Sequence, residues 1–257
     1  SRKKMLDQIT LDDIKPSSRR YPFVGFKPER EIGNDVVQVD NVSVTIDGKK
    51  ILDKISFTLG REDKVAFLAN DDITTTTLFK VLMGEITPDE GTVRWGVTTT
   101  QSYLPKDPSA EFDNDLTIVD WLRQYANKEE DDNTFLRSFL GRMLFSGDEV
   151  MKKVKVLSGG EKVRCMLSKN MLSKANVLVL DDPTNHLDLE SITALNDGLI
   201  AFNGVLLFAS HDHQFIQTIA NRIITVSNNG IVDRADTTYD EFLENQDVQA
   251  RVAALYN

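Results

Sequence analysis

Three short apolar runs in this chain each end in residues that carry charge or a titratable ring, and this recurrence constrains the fold more than any other feature. Lys64–Ala69 runs into Asn70-Asp71-Asp72, Val177-Leu178-Val179-Leu180 runs into Asp181-Asp182-Pro183-Thr184, and Val205–Ala209 runs into Ser210-His211-Asp212. Apolar strands bounded by Gly, Asn and Asp and alternating with longer helical patterns specify an α/β domain. Open sheets of that class present their ligands at the C-terminal ends of strands.

The rest of the pattern fits around those strands. Val36–Ile46 and Ile51–Leu59, joined by Asp47-Gly48-Lys49-Lys50, predict a hairpin in a β-rich early region. Thr76–Met83 predicts a helix stopped at Gly84, and Gly91–Trp95 and Thr98–Leu104 predict further strands. Between Leu116 and Val156 the apolar spacing is helical, through Ile118, Val119, Trp121, Leu122 and Tyr125, then Phe135, Leu136, Phe139, Leu140, Met143 and Leu144. This predicts a helical subdomain at about residues 107–157 inserted in the α/β core. Helices are then expected from Ser158, after Asp188 and after Asp212, with a strand at Ile223–Val226 and a polar helical segment at Tyr239–Tyr256.

Composition excludes several classes. With 257 residues, 40% hydrophobic and 27% charged, the chain has material for a buried core. No stretch approaches the about 18 uninterrupted apolar residues of a spanning helix, so neither membrane insertion nor export is expected. The single Cys165 cannot form an internal disulfide and is read as an inert helix residue in a reducing cytoplasm. A net charge of −10 argues against a nucleic-acid surface over the whole molecule. Residues 1–30 nevertheless carry +4, leaving −14 for the remainder, and with Pro16, Pro22 and Pro28 they read as a linker cut from a longer protein.

The chemistry-bearing motifs follow in a fixed order. Leu157-Ser158-Gly159-Gly160-Glu161 opens a helix with paired glycines, so that backbone N–H groups and the Ser158 hydroxyl can face an anion. Asp181 and Asp182 end an apolar strand, as carboxylates do where Mg²⁺ and an attacking water are held. Asn185-His186-Leu187-Asp188 follows directly, His211 ends the next strand, and Gln101 precedes Leu157 by 56 residues.

Together these residues resemble the ATP-binding-cassette ATPases over about residues 36–257, which implies a P-loop NTPase core sheet with an antiparallel β region and a helical subdomain. On that resemblance Leu157–Glu161 is the signature sequence, Asp181 the Walker B aspartate, Gln101 the Q-loop glutamine, Asp188 the D-loop aspartate and His211 the switch histidine. Thr76, Gln101 and Asp181 would be the Mg²⁺ ligands, and Asp182, His211 and Gln101 the catalytic set. The wording Asp182-Pro183-Thr184-Asn185-His186-Leu187-Asp188 and Ser210-His211-Asp212 is most similar to the ABC-F subfamily, in its bacterial YbiT-like group. Those proteins carry two cassettes in one chain without a transmembrane domain, and residues 1–35 are similar to the end of the linker between them. The resemblance implies the second, C-terminal cassette, with ATP and Mg²⁺ as cofactors of the full protein and the absent first cassette as partner. It further implies ribosome-associated action in translation, the linker reaching toward rRNA and tRNA.

One motif departs from the pattern. A Walker A loop, G-x-x-x-x-G-K-[ST], wraps phosphates with glycine-freed N–H groups and reaches them with its lysine. Here the aligned stretch is Ala69-Asn70-Asp71-Asp72-Ile73-Thr74-Thr75-Thr76, followed by Thr77. Ala69 and Thr74 stand at glycine positions, Thr75 at the lysine position, and Asp71 and Asp72 bring negative charge toward a triphosphate. Asp182 stands where the family has a glutamate, and Ile46 where it has an adenine-stacking aromatic. In the family two cassettes pack head to tail, so these departures fall in one composite site, whereas Leu157–Glu161 and Asp188 serve the other.

The expectation is an asymmetric ATPase whose second half-site is degenerate, with this domain alone weak or inactive and a monomer or weak homodimer. Two other readings stay open: the ATPase subunit of a membrane transporter, and a pseudo-ATPase interaction module.

Overall fold

The computed structural model describes residues 20–257, and the basic residues of the arm at positions 1–19 lie outside the described residues. Two sheets are present. Strands β1 (Val37–Ile46), β2 (Lys49–Leu59) and β4 (Glu90–Trp95) form an antiparallel sheet in the order β2-β1-β4. Asp47 and Gly48 both take positive φ, 51° and 75°, the requirement of the tight turn that the Asp-Gly pair announces between β1 and β2.

The second sheet has six strands in the order β5-β6-β7-β3-β8-β9: β5 (Gln101–Leu104), β6 (Val177–Asp181), β7 (Val205–Ala209), β3 (Lys64–Leu68), β8 (Arg222–Ser227) and β9 (Gly230–Ala235). The pairs from β5 to β8 are parallel, and β9 closes the edge antiparallel to β8. β6 and β7 are buried at every position, as central strands covered on both faces must be.

Strand alternation divides the core in two. Ala66, Leu178, Leu180, Leu206, Phe208 and Ile223 face one cluster, which also takes in the helical subdomain. Val65, Phe67, Val177, Val179, Val205 and Leu207 face the other, with the antiparallel sheet and helix α1 (Asp72–Leu82). Asp181 has the same parity as Val177 and Val179, so the last side chain of β6 is directed to the α1 side.

Between β5 and helix α4 (Gly159–Ser173) lie α2 (Ile118–Arg123), α3 (Asn133–Arg142) and short 3₁₀ turns. This insert is pinned by Trp121, fully buried and stacked on Phe112 at 4.8 Å. Cys165 is buried within α4, and burial pushes its thiol pKa up, which makes it unreactive. Helices α5 (Leu189–Ala201) and α6 (His213–Ile219) complete the alternation with the sheet.

Residues 20–35 lie against the domain. Val24 and Phe26 are buried in the main core, and Phe23 N–H donates to Arg142 O at 2.7 Å. A Cβ at Gly198 would stand 2.6 Å from Val24 O, so α5 needs a glycine there to let this strip approach. Asn176, fully buried, accepts from Thr100 N–H at 2.8 Å and donates to Thr98 O at 2.9 Å and Arg30 O at 3.2 Å.

Candidate functional site

The C-terminal ends of β3, β6 and β7 meet because Ala66 pairs with Phe208 and Asp181 with Ala209. The residues that follow each strand line a cavity of about 310 Å³, among them Asn70, Asp71, Asp72, Thr75, Asp181, Asp182 and His211. Its other wall is supplied by helices α7 (Tyr239–Glu244) and α8 (Gln246–Leu255) and by Tyr256. The sequence pattern placed helix there but gave no sign that it closes over the phosphate-loop position.

The loop after β3 differs from the expected one. Helix α1 begins at Asp72, not at Thr76, because the Asp71 side chain caps it. Oδ1 of Asp71 accepts from Thr74 N–H at 2.9 Å and from Thr74 Oγ1 at 2.7 Å. The Thr75 hydroxyl donates back to Asp72 O at 3.2 Å, so the side chain in the lysine position serves its own helix. Thr74, Thr75 and Thr77 are buried, whereas Ile73 is 57% exposed. Thr76 Oγ1 donates to Asp181 Oδ2 at 2.6 Å.

Asp181 is only 2% exposed, and burial pushes its carboxyl pKa up, opposed by the Thr76 bond and the charge of Lys106. Asp182 adopts φ 53°, a left-handed conformation that aspartate tolerates, and its N–H donates to Ala209 O at 2.8 Å. His211 Nε2 meets Asp72 Oδ1 at 2.8 Å. Lys106 ion-pairs with Asp72 Oδ2 and stands 4.0 Å from Asp182 Oδ2. The Lys106 hydrogen bond, aided by that of His211, holds the Asp72 carboxyl below its ordinary range.

Gln101 requires a correction. Register pairs Gln101 with Val177 and Leu104 with Leu180, so Gln101 begins β5 at the end of the sheet remote from Asp181. Its side chain donates to Thr99 Oγ1 at 2.7 Å and has no place among the Mg²⁺-holding or catalytic residues. The residue that β5 delivers to the carboxylates is Lys106, which the sequence reading overlooked. The available signal was positional: Lys106 lies two residues beyond the apolar pair Tyr103-Leu104, at a C-terminal strand end. Ile46 closes β1 opposite Lys49 and packs on the second core cluster, and it does not line the cavity.

The segment Leu157–Glu161, which the resemblance reads as the signature, lies outside that cavity. Ser158 caps α4 in a reciprocal box, with Ser158 Oγ accepting from Glu161 N–H and Glu161 Oε1 from Ser158 N–H, both at 3.2 Å. Lys152 Nζ holds the other Glu161 oxygen at 2.8 Å. The paired glycines answer a close approach: a Cβ on Gly159 would meet the His186 ring at 3.1 Å, and one on Gly160 the His186 carbonyl at 2.6 Å. Asp188 caps α5 through Ser191 N–H at 2.8 Å. Ser158, Gly159, Asn185, His186 and Asp188 are exposed, as are the apolar side chains of Val156 and Leu189, at 63% and 68%.

The family model described as ABC transporter matches residues 52–185, from β2 through the carboxylates that end β6. The chain belongs to the ATP-binding-cassette family. This cassette is 65% identical, over its whole length and 47% of the relative's, to the uncharacterized ABC transporter ATP-binding protein YkpA of Bacillus subtilis. It is 37% identical to the probable ATP-binding protein YbiT of Escherichia coli O157:H7, over 97% of this chain and 47% of that one. It is 33% identical to ABC transporter F family member 2 of Arabidopsis thaliana, over 99% of this chain and 38% of that one. The chain therefore spans about half the length, or less, of these relatives. In fold it is similar to an ATP-binding subunit of an ABC transporter, with a TM-score of 0.68 at 17% identity, covering 86% of this chain and 98% of that one. Another fold neighbour is cbiO1 of Clostridium perfringens, with a TM-score of 0.63 at 17% identity, covering 87% of this chain and 96% of that one.

The family implies ATP with Mg²⁺, and the residues at this cassette's own loop do not fit that group. The Asp71 carboxylate already takes the N–H donor that opens α1, and four carboxylates, of Asp71, Asp72, Asp181 and Asp182, line the cavity that a polyanion would enter. Among the described residues no group of three or more His, Cys, Asp or Glu is arranged to hold a metal ion. No helix among them is long and apolar enough to cross a membrane.

Proposed function

We propose that this cassette is the second half of a two-cassette ABC-F ATPase of the cytoplasm that acts in translation, and that it donates its signature segment while its own half-site holds no nucleotide. The observation that carries the asymmetry is the contrast between two helix N-termini. At α1 the loop's own Asp71 takes the donor, and Thr75 supplies no cation. At α4 Ser158 and Gly159 are exposed, as are Val156 and Leu189, apolar side chains that an apposed cassette would cover. The relatives of about twice this length support a partner cassette in the same chain, and the ABC-F names among them support the subfamily. In the assembled protein, ATP hydrolysis would then run at the opposite composite site.

Calorimetric titration of MgATP tests the asymmetry. The wild-type chain gives no binding heat, and Thr74→Gly/Thr75→Lys, which restores a glycine and the lysine, binds. Tight binding by the wild type, abolished by Asp181→Asn and not by Ser158→Ala, overturns it. Sedimentation of the full two-cassette protein with ribosomes, with and without ATP, tests the translational role, and failure to co-sediment in either state removes it.

A further inference from the structure

The disagreement between the family's metal and the residues present has a positive side, carried by Lys106. Its side chain is 29% exposed, at the head of the loop that joins β5 to the helical insert. The ammonium ion-pairs with Asp72 on α1 and stands 4.0 Å from Asp182 at the end of β6. Asp72 is held from its other oxygen by His211, so β5, α1, β6 and β7 all send a side chain or a carboxylate into one short network. The carboxylates of Asp72, Asp182 and buried Asp181 feel one another's charge, with Lys106 and His211 as their cationic partners among the described residues, and His211 is charged only when protonated.

We propose that Lys106 is a built-in cation that takes the electrostatic place of a divalent metal at this half-site and fastens the head of the helical insert to α1 without nucleotide. The proposal rests on the reading of a nucleotide-free half-site and extends it. A carboxylate cluster of this kind is self-repelling unless a positive charge lies within a few ångströms. A lysine supplies one charge, on a covalent tether, where a bound ion would supply two and be exchangeable. The consequence is geometric as well. Five residues beyond Lys106, Glu111 holds Lys169 of α4 at 3.0 Å, and Phe112 stacks on Trp121. The ion pair therefore fixes the path by which the insert leaves the sheet, and with it the surface that presents Ser158–Glu161. In this chain that path does not depend on an exchangeable ligand.

The test is thermal unfolding of the 257-residue chain in EDTA, in millimolar MgCl₂, and in NaCl at matched ionic strength, which separates specific binding from screening. The wild type melts at one temperature in all three. Lys106→Gln melts about 3–6 °C lower in EDTA and recovers most of that loss in MgCl₂ but not in NaCl. Lys106→Arg, which keeps the charge, behaves as the wild type. A wild type that Mg²⁺ stabilises, or a Lys106→Gln chain that melts as the wild type or ignores Mg²⁺, overturns the proposal. The wild-type arm needs no variant, so the proposal stays testable if Lys106→Gln does not fold. MgATP binding by the wild type would remove the parent reading, whereas Mg²⁺ stabilisation without MgATP binding would remove only the role of Lys106.

Discussion

Thr76 Oγ1 donates to Asp181 Oδ2 across 2.6 Å, so the first turn of α1 and the last residue of β6 share a carboxylate that is 2% exposed. This contact joins the aberrant loop to the conventional strand. Removing its donor leaves a buried carboxylate short of a partner, which costs about 1–3 kcal/mol or more. Thr76→Val is therefore expected to lower the melting temperature by at least about 2–4 °C. Thr76→Ser, which keeps the hydroxyl, is expected to lower it far less, as read by circular dichroism.

Gln101 and Lys106 make opposite predictions. The Gln101 side chain reaches only Thr99 on its own side of the sheet, so Gln101→Ala is expected to change stability by less than about 0.5 kcal/mol. A large effect of Gln101→Ala in a denaturant titration would place that residue back among the functional ones.

Gly160→Ala tests the contact between the start of α4 and the segment Asn185–Asp188. Its methyl group would lie 2.6 Å from the His186 carbonyl, a backbone atom that cannot swing aside. Overpacking of this kind costs about 1–3 kcal/mol. The expected result is a lowered denaturant midpoint with an unchanged m-value, the mark of a native-state effect.

Asn176, just before β6, binds three backbone groups at once, two in the approach to β5 at Thr98 and Thr100 and one in the strip at Arg30. Asn176→Leu leaves Thr100 N–H and the Thr98 and Arg30 carbonyls without it, and is expected to cost about 2–4 kcal/mol. Hydrogen exchange would report the loss first at residues 98–100.

Asp188 gives a pH signature. Hydrogen bonding from Ser191 holds its carboxyl below the ordinary value of 3.8, so its contribution is present above that pH and lost as pH falls through the lowered native value. Asp188→Ala is expected to cost about 1 kcal/mol at neutral pH, as loss of a helix cap does. The gap between wild type and variant should narrow only below the ordinary carboxylate range, in urea titrations across pH.

Much of this arrangement is legible in the sequence because it is local. Val177–Leu180 followed by two aspartates, and Val205–Ala209 followed by Ser-His, declare both the strands and the end at which their chemistry sits. The Asp-Gly hairpin, the helical insert and the Ser158 and Asp188 caps are written in patterns of a few residues. What escaped depends on register between distant segments. Gln101 was selected by residue type, and only its pairing with Val177 reveals that it begins the strand instead of ending it. The start of α1 was placed at Thr76 because the loop was read as a failed phosphate loop, whereas Asp71 makes it a capped helix. Strand β9 passed unnoticed, since Gly230–Ala235 has little apolar alternation and is held by its ladder to β8.

The strip at residues 20–30 also sets how this molecule bears load. Val24 and Phe26 are seated in the main core, and the backbone is latched at Arg142 of α3 through Phe23 and at Lys174 beyond α4 through Glu29. A pull applied at Tyr21 is thus met first by the latch at α3, and the six-stranded sheet feels it only after the Phe23 hydrogen bond has broken and Val24 has been peeled from its seat. Helix α3 and the end of α4 are the parts of the cassette most directly under tension from that side, and the six-stranded sheet is more sheltered from it.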